Sequence, residues 1–115
     1  MLRGIDCVMV PVPDLELGVD LYQRAFGLTV HWRDSVSAGL GLPDSATEVV
    51  LNLDGISGVH YLVDDVPAAV EHALAEGCAL AVAPFEVVIG WCAVLNDPFG
   101  NPVHLLDMTK GFRTA

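Results

Sequence analysis

The side chains able to do chemistry are few and scattered. His104 follows a compact turn in Leu95–Asp107 (LNDPFGNPVHLLD), set between Val103 and Leu105, and His60 sits in a similar apolar run, Val59 to Val63. Imidazole can act as a metal ligand or a proton carrier, or as a hydrogen-bonded pocket wall. Cys7, Cys78 and Cys92 are an odd number without metal-finger spacing, which argues for reduced thiols over a disulfide framework. No base or helix N-terminus adjoins Cys7 to activate it as a nucleophile. Ser35, Ser37, Ser45 and Ser57 lack the G-x-S-x-G context of a hydrolase, and Gly39-Leu40-Gly41 lacks the Lys-Ser/Thr of a phosphate loop. Trp32 and Trp91 could stack on a planar ligand or pack in a sheet. His31 and His72 read as solvent-exposed.

The elements that must position these groups follow from periodicity. Ile5 to Val12 alternates and runs into Asp14, an N-cap for the helical spacing of Leu15, Val19, Tyr22 and Phe26, which stops at Gly27. The pattern recurs 51 residues on, from Val12 to Val63: Asp65, Val66 and Val70 repeat Asp14, Leu15 and Val19, and the second helix stops at Gly77 after one gap. Three short strands follow each helix: 28–33, 36–42 and 48–54 in the first half, 78–82, 91–96 and 102–107 in the second. The unit is βαβββ, used twice, with modules of about 1–55 and 56–115 in one domain. The expected fold is α+β: each helix covers one sheet face, and the bare faces form a curved, eight-stranded cup with the helices outside.

Alternation assigns faces. Val8, Val10 and Val12, with Val49, Leu51 and Leu53, should lie under the first helix, leaving Cys7, Met9, Glu48, Val50 and Asn52 for the bare side. Val59, Tyr61, Val63, Val103 and Leu105 should lie under the second, leaving Gly58, His60, Leu62, His104 and Leu106. This places His104 near the repeat-related Asn52.

Fifteen acidic against five basic residues give a formal charge of −10, which repels nucleic acid and favours a solvated surface or a cationic ligand. No apolar run approaches a membrane span, and Met1 to Asp6 lacks a secretory signal, so a cytoplasmic location is expected.

The paired βαβββ pattern, Val-Pro-Asp-Leu entering the first helix, Val63-Asp64-Asp65-Val66 entering the second, and Asp97-Pro98-Phe99-Gly100-Asn101 before the last strand together resemble the vicinal oxygen chelate superfamily of glyoxalases, bleomycin-resistance proteins and extradiol dioxygenases. The resemblance covers nearly the whole chain and speaks to fold more than to reaction. In metal-dependent members an ion sits in the cup, held by His, Glu or Gln of the first and last strands of each module. Those positions fall here on Cys7, Gly58, Asn52 and His104, a poor set: Gly58 has no side chain and the Asn52 amide is a weak ligand. His60 could replace Gly58, giving Cys7, His60 and His104 as a zinc set, and Glu48 could approach beside Asn52.

The resulting expectation is a homodimeric protein that binds a small organic molecule, cationic ones included, in the cup without a metal or other cofactor. Cys7, Met9, Trp32, Glu48, Asn52, His60, Trp91 and His104 line the site. The alternative is a lyase, isomerase or dioxygenase dependent on zinc or another divalent ion, with His60 or Glu48 as ligand or general base.

Overall fold

The computed structural model describes residues 1–111. The chain divides into two compact units: one spans Asp6–Gly58, and the other joins Met1–Ile5 to residues 59–111. The strands are β1 (Leu2–Pro11), β2 (Thr29–Arg33), β3 (Ser37–Leu42), β4 (Ser45–Asn52), β5 (Gly58–Val63), β6 (Ala79–Val87), β7 (Gly90–Asn96) and β8 (Pro102–Leu106), with helices α1 (Leu15–Phe26) and α2 (Val66–Ala75). The class is α+β, built from two βαβββ units as the repeat implies.

Both helices start as their sequences dictate. Asp14 accepts a hydrogen bond from Leu17 N–H at 2.9 Å, and Asp65 accepts one from Ala68 N–H at 2.9 Å. Each carboxylate satisfies an N–H that the first turn would leave unpaired. Pro67 sits in the first turn of α2, where its missing N–H costs nothing. Gly27 ends α1 in the left-handed region, at φ 74°, and its N–H returns to the carbonyls of Gln23 and Tyr22.

In the first unit the strands run in the order β2-β3-β4-β1, with β1 parallel to β4 and the other pairs antiparallel. Leu15 and Val19 of α1 bury against Leu28, Ala38, Leu40 and Leu51, and Val10, Val12, Tyr22, Val30 and Val49 complete that core. In the second unit the order is β5-β8-β7-β6, with β5 parallel to β8. Val66 and Val70 of α2 bury against Val63, Ala93, Leu95 and Leu105, joined by Tyr61, Ala69, Ala73, Trp91 and Val103. In both units the side chains of one parity pack beneath the helix, as alternation requires, except Leu53, which lies past the end of β4 and is 42% exposed.

β6 continues to Val87, five residues beyond the strand expected at 78–82. Its pairing with β7 shifts between Leu80 and Val82 and again between Val82 and Phe85. These irregularities accommodate Pro84 at the sheet edge and hide the extension from a period-two reading.

The second unit is pinned by one buried carboxylate. Asp107 is fully buried and accepts from Val66 N–H at 2.7 Å, Trp91 N–H at 2.9 Å and the Thr109 hydroxyl at 2.9 Å, tying α2, β7 and the chain after β8 to one side chain. Gly90 is required beside it, because a Cβ there would run into the Asp107 carboxylate. Burial works to raise the Asp107 pKa, but the hydrogen bonds from Val66, Thr109 and Trp91 outweigh it and hold the carboxyl below its ordinary value. Asp107→Ala is expected to lower unfolding stability by roughly 2–4 kcal/mol, because the donors stay buried and lose their acceptor. Urea denaturation checks this. Since the folded pKa is depressed, the contribution is present above the ordinary value and lost as pH falls through the folded one.

Candidate functional site

Within the first unit, the sheet face turned away from α1 is organised around Glu48 on β4. Its Oε1 accepts from the Trp32 indole Nε1 at 2.9 Å, and its Oε2 pairs with His31 Nδ1 at 2.8 Å. Both carboxylate oxygens are thus held by rings from consecutive residues of β2, which regular alternation would send to opposite faces. A bulge makes this possible. The β2–β3 register shifts between Val30, opposite Leu40, and Trp32, opposite Gly39, so β2 carries one extra residue there.

Glycine provides the room. A Cβ on Gly39 would enter the Trp32 ring, and one on Gly41 would enter the His31 ring. The two glycines of Gly39-Leu40-Gly41 form a floor for the rings, while Leu40 between them is wholly buried in the core under α1. Glu48 keeps 23% of its side chain exposed and His31 51%, so the carboxylate is both oriented and reachable.

The same face carries Cys7 and Met9 of β1. Cys7 is in register with Glu48 and Met9 with Val50, and the Cys7 thiol lies 3.7 Å from the Met9 sulfur. Cys7 is buried. Asn52 departs from the expected role. It is 1% exposed, its Nδ2 donates to the Ile56 carbonyl at 2.8 Å, and its Oδ1 accepts from Asp54 and Ile56 N–H groups at 3.1 and 3.0 Å. Its amide closes the turn after β4 and has little capacity left for a ligand.

In the second unit His60 and His104 face each other across β5 and β8, in direct register, with rings stacked at 4.5 Å between centroids and 12° between planes. Their neighbours Tyr61 and Leu105 point beneath α2, so the imidazoles lie on the helix-free face. Desolvation, and then the charge His104 would carry, lower the His60 pKa to about 4; desolvation also lowers that of His104. Both rings are neutral at pH 7. His60 Nε2 is buried without a hydrogen-bond partner.

Two assignments change. Parallel register equates Met9 and its partner Val50 with His60 and its partner His104, so the repeat counterpart of His104 is Val50 and not Asn52. Trp91 belongs to the helix side of its sheet, packed with the core under α2, and the Lys110 ammonium lies 5.6 Å from its ring centroid. It is therefore on the opposite face from His60 and His104. His31 is exposed as expected and also pairs with Glu48, a contact whose only sequence sign is the pair of glycines on the facing strand.

Among the described residues, neither unit groups three His, Cys, Asp or Glu side chains to hold a metal ion. Cys7 belongs to one unit and His60 and His104 to the other, so that proposed zinc set is not assembled within either.

The glycine floor and the stacked imidazoles can each be tested. In a Trp91→Phe background, Gly39→Ala should displace the Trp32 indole from Glu48 and shift its fluorescence to the red, because the added methyl occupies the ring's space. For the histidines, a folded pKa below the unfolded 6.5 means that the unfolded chain binds protons first. Stability should therefore fall as pH drops from about 6.5 toward 4, and His60→Phe, which keeps a ring against His104, should flatten that fall in denaturation series.

Comparison with known proteins is consistent with this geometry. Residues 4–105 match the family model for the Glyoxalase/Bleomycin resistance protein/Dioxygenase superfamily. Solved structures with the same fold include a methylmalonyl-CoA epimerase from Mycobacterium tuberculosis, with TM-score 0.71 and 20% identity over 92% of this chain and 88% of that one. A variant of the Streptomyces coelicolor methylmalonyl-CoA epimerase in complex with 2-nitronate-propionyl-CoA gives TM-score 0.75 and 19% identity over 95% and 99%. A hypothetical protein from Bacillus halodurans gives 0.76 and 12% over 96% and 97%. Comparison with curated proteins finds no match. Among the described residues no helix is long and apolar enough to cross a membrane.

Proposed function

We propose, for a chain that belongs to the Glyoxalase/Bleomycin resistance protein/Dioxygenase superfamily, that it binds a small organic molecule bearing a cationic group, with the Glu48 carboxylate as anchor and without a metal ion. The observation that carries this reading is the pair of ring donors fixing both oxygens of Glu48 on a helix-free sheet face. A carboxylate held in place by its own neighbours needs no reordering to meet a cation, and the saving in entropy appears as affinity. Trp32 offers an aromatic surface beside the charge, while the half-buried Met9 supplies apolar contact along the same face.

Charge separates this reading from a transfer of the neighbours' ligands. The Streptomyces epimerase is described with a CoA derivative, and polyanionic CoA would meet a chain of formal charge −10. The residues present do not fit a metal centre within either unit, so no chemical step is routed through one. A metal-dependent lyase, isomerase or dioxygenase has one observation in its favour, the buried and unpartnered His60 Nε2, which a ligand could satisfy.

Calorimetric titration of chelator-treated protein with tryptamine and its neutral analogue indole-3-ethanol tests the proposal. Tryptamine is expected to bind more tightly, and Glu48→Gln to weaken it by about tenfold or more while leaving the alcohol unchanged. Binding that vanishes with the chelator and returns with zinc would favour the metal-dependent alternative. Equal affinity for amine and alcohol would remove the role assigned to Glu48.

A further inference from the structure

The two helices present different side chains at one repeated position. The offset that takes Val12 to Val63, 51 residues, takes Tyr22 of α1 to Ala73 of α2 and Gly18 to Ala69. In the first unit Tyr22 packs against the core of Leu15, Val19 and Leu40 and meets Phe26 edge to face, with ring centroids 5.2 Å apart. In the second, a methyl group stands where its counterpart carries a phenol ring.

The sheet beneath α2 does not close the difference. A pocket of about 150 Å3 lies there, with Val63, Leu95 and Leu105 as its floor and Ala69 and Ala73 as its helix wall. The floor residues are buried, whereas Leu2 and His72, which also line it, are exposed and mark its mouth.

We propose that this pocket is a binding site for a small hydrocarbon group, of the size of a benzene ring or a short branched alkyl chain. It lies on the helix side of its sheet, so it is distinct from the face that carries His60 and His104. Size and polarity set the ligand class. A pocket of about 150 Å3 with an apolar floor matches benzene in size and gives water few polar partners there. Drug-sized ligands need clefts of about 300 Å3 or more, so the pocket takes a fragment. Among the described residues the only buried side-chain nitrogen or oxygen without a partner is His60 Nε2, and His60 does not line this pocket. The floor therefore offers hydrocarbon contact, and the polar side chains of the lining are the exposed His72 imidazole at the mouth and the Cys78 thiol.

The repeat itself supplies the control: Ala73→Phe restores an aromatic ring where the first unit has Tyr22. In benzene-saturated buffer the wild-type melting temperature should rise by about 3 °C through preferential binding to the folded state. The Ala73→Phe protein should show no rise. Methyl-resolved NMR on the wild-type protein locates the guest independently of any variant. Shifts at Val63, Leu95 and Leu105 support the site, while shifts confined to Leu62 and Leu106 on the other face overturn it. Phenol provides the polarity arm: binding at least tenfold weaker than benzene supports a hydrocarbon site, and equal binding overturns that class. Absence of both a melting shift and NMR shifts with benzene overturns the proposal outright. If Ala73→Phe fails to fold by circular dichroism, the smaller filling substitution Ala73→Leu takes its place.

Discussion

Everything in this protein depends on one asymmetry: each set of four strands in the eight-stranded sheet has a single helix, and that helix covers one face. Side chains of one parity are then committed to the core. Leu51 and Leu105, wholly or almost wholly buried, occupy equivalent parallel-paired strands and cannot be spared from packing. The opposite parity on the same strands has no helix over it, and it is there that Glu48, Cys7, His60 and His104 are found. Chemistry is therefore confined to one face by the same period-two geometry that builds the core.

Within that frame, small residues decide where specialised groups can sit. Glu48 is a charged residue on a sheet face, an arrangement that ordinarily yields a mobile, solvated side chain. Here Gly39 and Gly41 remove two Cβ atoms from the neighbouring strand, the bulge in β2 brings His31 and Trp32 to the same side, and the carboxylate acquires two fixed donors. The backbone irregularity and the glycines are useful only together: without the bulge one ring would point away, and without the glycines neither ring would have room to lie down. The pocket under α2 follows the same principle, since an alanine at a position where the repeat carries tyrosine leaves space that the other residues do not reclaim.

The legible parts of the sequence are those governed by regular periods and by capping. Asp14 and Asp65 announce the helices, and strict alternation places Val10, Val12, Val49 and Leu51 beneath α1 and Tyr61, Val63, Val103 and Leu105 beneath α2. What stays hidden depends on departures from period. The bulge at His31 conceals the ring pair on Glu48, two register shifts and Pro84 conceal the outer half of β6, and taking Asn52 as the repeat counterpart of His104 assumes a register that only parallel strand partners can fix. Trp91 shows a different limit. Its parity with Ala93 and Leu95 is readable, but an indole is amphipathic enough to suit either face, so residue type pulls toward ligand binding while parity points to the core.

The two helix-free faces end up electrostatically unlike, although the repeat gives them the same backbone. On β5 and β8 burial keeps the stacked imidazoles neutral at pH 7, because a proton on either ring would have to be held away from water, and on His60 also against the charge of its partner ring. On β4 the carboxylate is solvated in part and receives hydrogen bonds from two rings, which hold it in place. A cationic group is attracted to the second environment and gains little from the first, whose buried Nε2 calls for a hydrogen-bond donor or acceptor instead of a counter-ion. Duplication thus supplies one scaffold twice, and substitution at Met9 against His60, and at Val50 against His104, divides it into an anionic surface and a neutral imidazole surface.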